Sequence, residues 1–143
     1  MKKLVIFLLL GLSLYANTWY KSEIKASQKA VREQKPIILF IHKPGCPWCE
    51  KIIEGFNKGE LKKVFDQDRM VFWEMDWKDP RIEKYNYSFN KVPAIFFLDP
   101  MGAEVGQHID GYLGDKKTAE LLHQFSDWWD KTAKPLLGEN YGK

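Results

Sequence analysis

Ile37-Ile38-Leu39-Phe40-Ile41-His42-Lys43-Pro44-Gly45-Cys46-Pro47-Trp48-Cys49-Glu50-Lys51 is the stretch that decides how the chain is read. Its first five residues form an unbroken apolar run rich in β-branched and aromatic side chains, the pattern of a strand buried on both faces. From Glu50 to Phe65 the apolar residues recur at helical spacing: Ile52, Ile53, Phe56, Leu61, Val64 and Phe65. The two cysteines therefore stand where a strand ends and a helix begins. A helix N-terminus presents unpaired backbone N–H groups and a partial positive charge, which stabilises a thiolate over a thiol. Cys46 is expected at the cap with its sulfur outward. Pro47 fits the first helical position, where a missing N–H costs nothing. Cys49 follows one turn later, and three residues at about 1.5 Å rise bring the two Cα atoms within disulfide range.

Three readings of this C-x-x-C compete. A structural staple would close a loop of only a few residues, and the benefit of a disulfide grows with loop length. A zinc site needs four ligands; the three histidines, His42, His108 and His123, are scattered, and the chain has no other cysteine. A redox-active dithiol fits best, with no metal assigned.

The 143 residues suit one domain with a single core, and six Trp and nine Phe can make that core dense. Residues 1–16 are expected to be a signal peptide: Met1-Lys2-Lys3 is a basic start, Leu4 to Leu14 an apolar run, and Ala16 a cleavage site, although Leu14 is larger than the residue preferred there. An anchor helix is the competing reading, but the run is about eleven residues where a span needs about twenty. Removing 1–16 takes Lys2 and Lys3 from 22 basic residues against 19 acidic ones, lowering the formal charge from +3 to +1. No basic stripe with interleaved aromatics remains, so nucleic acid is not an expected partner. Export, to the periplasm, permits a disulfide. The domain is expected to span 17–134, followed by a polar, loose tail over 135–143.

Along the chain, Trp19 to Gln34 reads as an amphipathic helix capped by Ser22, with Ile24, Ser27, Ala30 and Val31 inward. Lys35-Pro36 ends it. Gly55 and Gly59 predict a kink or break before Glu60. Met70 to Asp76 reads as a second strand. Asp79-Pro80 starts a short helix through about Tyr87. Ala94 to Leu98 is a third strand, Asp99-Pro100-Met101-Gly102 a turn, and Ala103 to Ile109 a hairpin partner. Asp115 is expected to cap a last helix with Leu121, Leu122, Phe125, Trp128 and Trp129 as its inner face, ended by Pro135.

This order, the C-x-x-C at a strand–helix junction, Val92-Pro93 before a strand, the hairpin turn and the closing helix together resemble the thioredoxin superfamily, over about residues 19–132. Within it the chain looks most like exported thioredoxin-like domains such as the C-terminal domain of the thiol:disulfide interchange protein DsbD, which share a leading segment with Trp, a Lys-Pro before the strand and a long helix after the dithiol. The resemblance implies an α/β three-layer sandwich with a central mixed sheet of about four strands. It implies that Val92–Pro93 is cis and lies beside the dithiol, although most X-Pro bonds are trans. It implies that Cys46 is the exposed attacking thiolate, that Cys49 is the buried resolving thiol, and that the Val92 backbone pairs with a substrate strand. No cofactor is implied.

The chain also departs from thioredoxin proper. Gly45 stands where thioredoxin has Trp, and Pro47-Trp48 replaces Gly-Pro between the cysteines. Phe40 occupies the position of a buried Asp that relays the proton of the second thiol. Period-2 alternation puts His42 on the face of Phe40, so His42 is a candidate modulator as well as an ordinary strand-end histidine. Glu74 and Asp76 share a face of the next strand; either is a candidate for the missing carboxylate or a solvated strand end. Trp48 is a candidate substrate-docking residue with Pro93 and Tyr112. Trp73, Trp77, Trp128 and Trp129 read as packing. Lys43 could favour the thiolate, weakly for an exposed charge.

The function this implies is an exported thiol:disulfide oxidoreductase acting on protein disulfides. Reduction, fed by a membrane electron-transfer partner, is favoured over oxidation. Isomerisation is disfavoured for want of a dimerisation module, and a monomer is expected. The alternative is a non-enzymatic Cu(I)- or zinc-binding or chaperone module on the same fold.

Overall fold

The computed structural model describes residues 17–142; the expected leader at 1–16 lies outside the described residues, as does Lys143. In chain order the elements are β1 Trp19–Tyr20, α1 Glu23–Glu33, β2 Ile37–His42, α2 Pro47–Lys58, α3 Glu60–Asp66, β3 Val71–Asp76, α4 Pro80–Lys84, β4 Ala94–Leu98, β5 Ile109–Asp110 and α5 Asp115–Trp128. The five strands form one mixed sheet in the order β1-β3-β2-β4-β5. β1, β3 and β2 run parallel, whereas β4 is antiparallel to β2 and to β5.

β2 is central and buried on both faces, which explains its unbroken apolar run. Alternation divides the core. Ile38, Phe40, Phe72, Ile95 and Phe97 pack against Ile52 and Phe56 of α2, Leu61, Val64 and Phe65 of α3, and Leu122 of α5. Ile37, Leu39, Ile41, Val71, Trp73 and Phe96 pack on the other side against Ala26 and Ala30 of α1 and against Tyr87. The result is the expected three-layer α/β sandwich, with one strand more than expected.

The helix starts follow their caps. The Lys25 N–H donates to Ser22 Oγ at 3.3 Å. The Arg81 N–H donates to Asp79 Oδ1 at 2.9 Å, with Pro80 in the first helical position. Hydrogen bonding from the Arg81 side chain also holds the Asp79 carboxyl below its usual range. The expected break before Glu60 is present: α2 ends at Lys58, and the Gly59 N–H closes on the Gly55 carbonyl at 2.8 Å.

Several readings of the sequence are corrected. Ile24, expected on the inner face of α1, is 68% exposed, and Ala26 and Ala30 form the buried face instead. Trp19 and Tyr20 are a strand rather than a helix start. Ser22 fixes the helix boundary, and the Trp19 indole sits among Phe56, Phe65 and Phe72 with ring centroids 5.1, 5.6 and 5.2 Å away; tertiary packing overrides the helical spacing. The hairpin partner expected over 103–109 shrinks to a Leu98–Glu104 bridge and the two residues of β5. α4 ends at Lys84, because Asn86 turns left-handed at φ 59° and Tyr87 folds into the core, donating its hydroxyl to the Gly102 carbonyl at 2.8 Å. Asp115 is the first residue of α5 and not its cap; its carboxylate accepts from the Tyr112 hydroxyl instead.

Past α5 the chain makes a π-helical turn, Trp129–Ala133, and a 3-10 turn, Lys134–Leu136. Trp129 is buried, and its indole N–H donates to the Gln34 carbonyl at 2.9 Å, whereas Trp128, expected on the inner face, is 42% exposed with its ring stacked on Phe125. The tail does not leave the domain: the Gly142 backbone lies against the Val31 side chain of α1.

Candidate redox site

β2 delivers the chain to a turn in which Gly45 takes φ +71°, a left-handed conformation that glycine adopts without a Cβ penalty. Cys46 follows as the N-cap of α2, with Pro47 in the first helical turn. Cys46 and Cys49 are joined as a disulfide, their Cα atoms 5.2 Å apart. The Cys49 N–H donates to Cys46 Sγ at 3.2 Å, so the helix start directs one backbone donor at that sulfur. Cys46 is 5% exposed and Cys49 1%, so in the disulfide form the expected open thiol is only the less covered of two buried residues. Both belong to the core cluster of Phe40 and Phe56.

Opposite this turn, the Val92–Pro93 peptide bond is cis. β4 pairs Ala94 with Ile41, so continuing the register by one residue sets Pro93 beside His42, at the sheet edge from which the cysteine turn departs. Val92 packs against the cluster that contains both cysteines. The loop is tied down twice. The Gly111 N–H donates to the Pro93 carbonyl at 2.7 Å, and Asp110 Oδ2 accepts from the Asn90 backbone and side-chain N–H groups at 3.2 and 3.1 Å. Gly111, at φ +85°, leaves room for Lys91, whose Cε would lie 2.8 Å from a Cβ there.

Trp48 is 55% exposed and stacks on Tyr112, ring centroids 5.3 Å apart and planes 18° from parallel. Lys51 Nζ lies over both rings, 5.5 Å from Trp48 and 5.4 Å from Tyr112. Tyr112 is fixed by its 3.0 Å hydrogen bond to Asp115 Oδ1, and burial with this bond raises its hydroxyl pKa. Asp115 in turn lies against Gly55 of α2, where an added Cβ would fall 2.5 Å from Oδ2. Gly55→Ala is therefore expected to lower stability by about 1 kcal/mol, the order of one lost hydrogen bond, despite alanine's better helix propensity. Urea unfolding checks this, and adding Asp115→Ser should restore the lost stability.

The remaining candidates lie at the same sheet edge. His42 stacks on Phe40, ring centroids 4.9 Å apart, and pairs in register with Asp76. Glu74 stands opposite Phe40 in the ladder and pairs with Lys21 at 3.8 Å. His42, Glu74 and Asp76 line one open cleft with Lys21, Asp79 and Arg81. Lys43 Nζ sits 5.4 Å from the centre of the Trp77 ring, which Lys78 also covers at 5.2 Å. Sequence reasoning did not single out Lys51, Lys78, Lys91, Trp77 or Asp115 for this edge; the strand ends that gather them are far apart in the chain. Among the described residues no cluster of three metal-ligating side chains is present.

A disulfide-forming C-x-x-C at a helix N-cap, facing a cis-proline loop on a mixed sheet, defines a thiol–disulfide redox site on a thioredoxin-like fold. The sequence model of the thioredoxin-like domain matches residues 24–126, and the chain belongs to that family. Solved structures agree on the fold. A thioredoxin from Thermus thermophilus superposes with a TM-score of 0.65 at 18% identity, over 80% of this chain and 90% of that one. A thioredoxin-fold protein from Helicobacter pylori gives 0.58 at 12% identity, over 75% and 76%. The reduced C-terminal domain of DsbD from Neisseria meningitidis gives 0.55 at 21% identity, over 71% and 91%. No curated protein matches the chain in sequence.

Proposed function

We propose that this thiol:disulfide oxidoreductase is exported to the periplasm and acts there as a reductase of protein disulfides. The observation that carries the reading is the Cys46–Cys49 disulfide at the start of α2, beside the Val92–Pro93 loop. Cys46 is the nucleophile, because it holds the cap and accepts a backbone N–H, whereas Cys49 lies a turn inside the helix. The Cys46 thiolate attacks one sulfur of a substrate disulfide. A Cys46–substrate bond forms, the substrate S–S bond breaks, and the departing thiolate takes a proton from water. Cys49 then gives up its proton and attacks Cys46 Sγ, releasing the second substrate thiol. Two electrons pass to the substrate, and the protein is left as the disulfide. A membrane electron carrier with a dithiol restores the pair by the same exchange. The Val92 backbone and the Trp48–Tyr112 face hold the substrate segment, and His42 and Glu74 modulate proton transfer from the sheet edge.

Chemically reduced protein should convert a peptide disulfide to dithiol one for one, with a rate that rises with pH through the ionisation of Cys46. Alkylation against pH should place that midpoint below the free-cysteine value of about 8.5, because the helix N-terminus stabilises the thiolate, with Cys49 unreactive near neutrality. No conversion, or Cys49 alkylating faster, would sink the reading. Export makes a separate claim: the secreted protein should begin at Asn17 by mass spectrometry, and an intact Met1 would refute it.

A further inference from the structure

Four lysines are carried by the segments that meet at the sheet edge from which the cysteine turn departs, and among the described residues none has a carboxylate within 4.0 Å. The fold gathers them from four segments: Lys43 before the cysteine turn, Lys51 in the first turns of α2, Lys78 after β3, and Lys91 before the cis-proline. β2 and β3 end at this edge, where the Trp77 N–H donates to the His42 carbonyl at 2.9 Å, and β4 begins there. Three of the four ammonium groups are laid over aromatic faces: Lys43 and Lys78 on the exposed Trp77, and Lys51 on the exposed Trp48 and the half-buried Tyr112. Such stacking lowers the entropy lost when a lysine meets a partner, and it keeps the charge at the surface.

The carboxylates at this edge are differently placed. Asp76 accepts from the Lys78 N–H, Asp110 from Asn90 and Asp115 from Tyr112. Glu74 pairs with Lys21, and Asp79 with Arg81. Of the acids near the cysteine turn, Glu50 is the exposed one with no such bond among the described residues. The rim thus offers free ammonium groups and flat aromatic surface, with Trp48 55% and Trp77 42% exposed. Tryptophan and tyrosine in such settings anchor protein partners.

We propose that this rim docks an acidic polypeptide segment, whose carboxylates pair with Lys43, Lys51, Lys78 and Lys91 while its apolar side chains rest on Trp48, Tyr112 and Trp77. The inference deepens the reductase reading, since the segment is the one that brings the disulfide, but docking can be measured without redox chemistry.

Three peptide disulfides, identical except for aspartate, glutamine or lysine flanking the cystine, are offered to the reduced full-length protein in single turnovers. At low salt the acidic peptide should react about tenfold faster than the basic one, and the preference should collapse in 0.5 M salt as the Debye length contracts to a few ångströms. The variant Lys43→Gln/Lys51→Gln/Lys78→Gln/Lys91→Gln should lose the acidic-over-basic ratio while still forming the Cys46–Cys49 disulfide. Equal rates, or a variant that keeps the ratio, overturn the proposal. Titration of an acidic peptide with serine in place of cysteine reads docking alone. If that peptide binds in a salt-sensitive manner while no disulfide is reduced, the reductase reading fails and the docking surface stands. If it does not bind, and the protein instead sediments with anionic lipid vesicles, the surface serves a membrane and the proposal is wrong.

Discussion

Replacing Cys46 by serine should bring disulfide reduction down to the background rate, whereas replacing Cys49 by serine should leave a protein that reacts once and stalls as a mixed disulfide. The asymmetry follows from position. Cys46 is the N-cap, accepts the Cys49 N–H and is the less covered of the pair. A serine hydroxyl there has no accessible anionic form near neutrality, so no sulfur nucleophile meets the substrate. Cys49, 1% exposed, reaches only the sulfur of Cys46. Without it the first exchange still occurs but nothing resolves the product, and the adduct should be visible as added mass that dithiothreitol removes. Adducts forming on Cys46→Ser and not on Cys49→Ser would reverse the assigned roles.

Phe40→Ala should cost about 3–5 kcal/mol of stability, the range for truncating a large buried aromatic. Phe40 is 1% exposed on the central strand, sits in register between Glu74 and Ile95, and its ring meets those of Trp19 and His42 at 5.8 and 4.9 Å. The cavity would open between β2 and α2, directly beneath the cysteines in the same cluster, where rigid neighbours leave little scope for collapse. Urea unfolding of the disulfide form, followed by tryptophan fluorescence, measures it. A loss below about 1 kcal/mol would mean that the cluster refills the space, and that Phe40 is not the support on which the redox turn rests.

Much of this protein was legible in its sequence, for a local reason. The apolar run Ile37–Ile41, the proline after Cys46 and the spacing of Ile52 and Phe56 are short-range signals that fix a strand, a cap and a helix, and so place the cysteines. Asp79-Pro80 and Ser22 specify helix starts with side-chain bonds to neighbouring backbone. The cis state of Val92–Pro93 was expected from family resemblance alone, because nothing local distinguishes it.

What the sequence could not carry depends on residues far apart in the chain. Trp19 scans as helical, yet it becomes strand because a pocket of three phenylalanines from α2, α3 and β3 receives its ring. Tyr87 leaves α4 early because its hydroxyl finds Gly102. Asp115 looks like a cap but is drawn to Tyr112, and that bond sets the plate on which Trp48 lies. Of the lysines of the rim, the sequence singled out Lys43 alone, as a weak influence on the thiolate. Only the sheet, by ending β2 and β3 and starting β4 at one edge, brings the segments of Lys43, Lys78 and Lys91 to the edge from which the cysteine turn departs. Short-range sequence chemistry determined the redox pair; long-range packing decided what surrounds it.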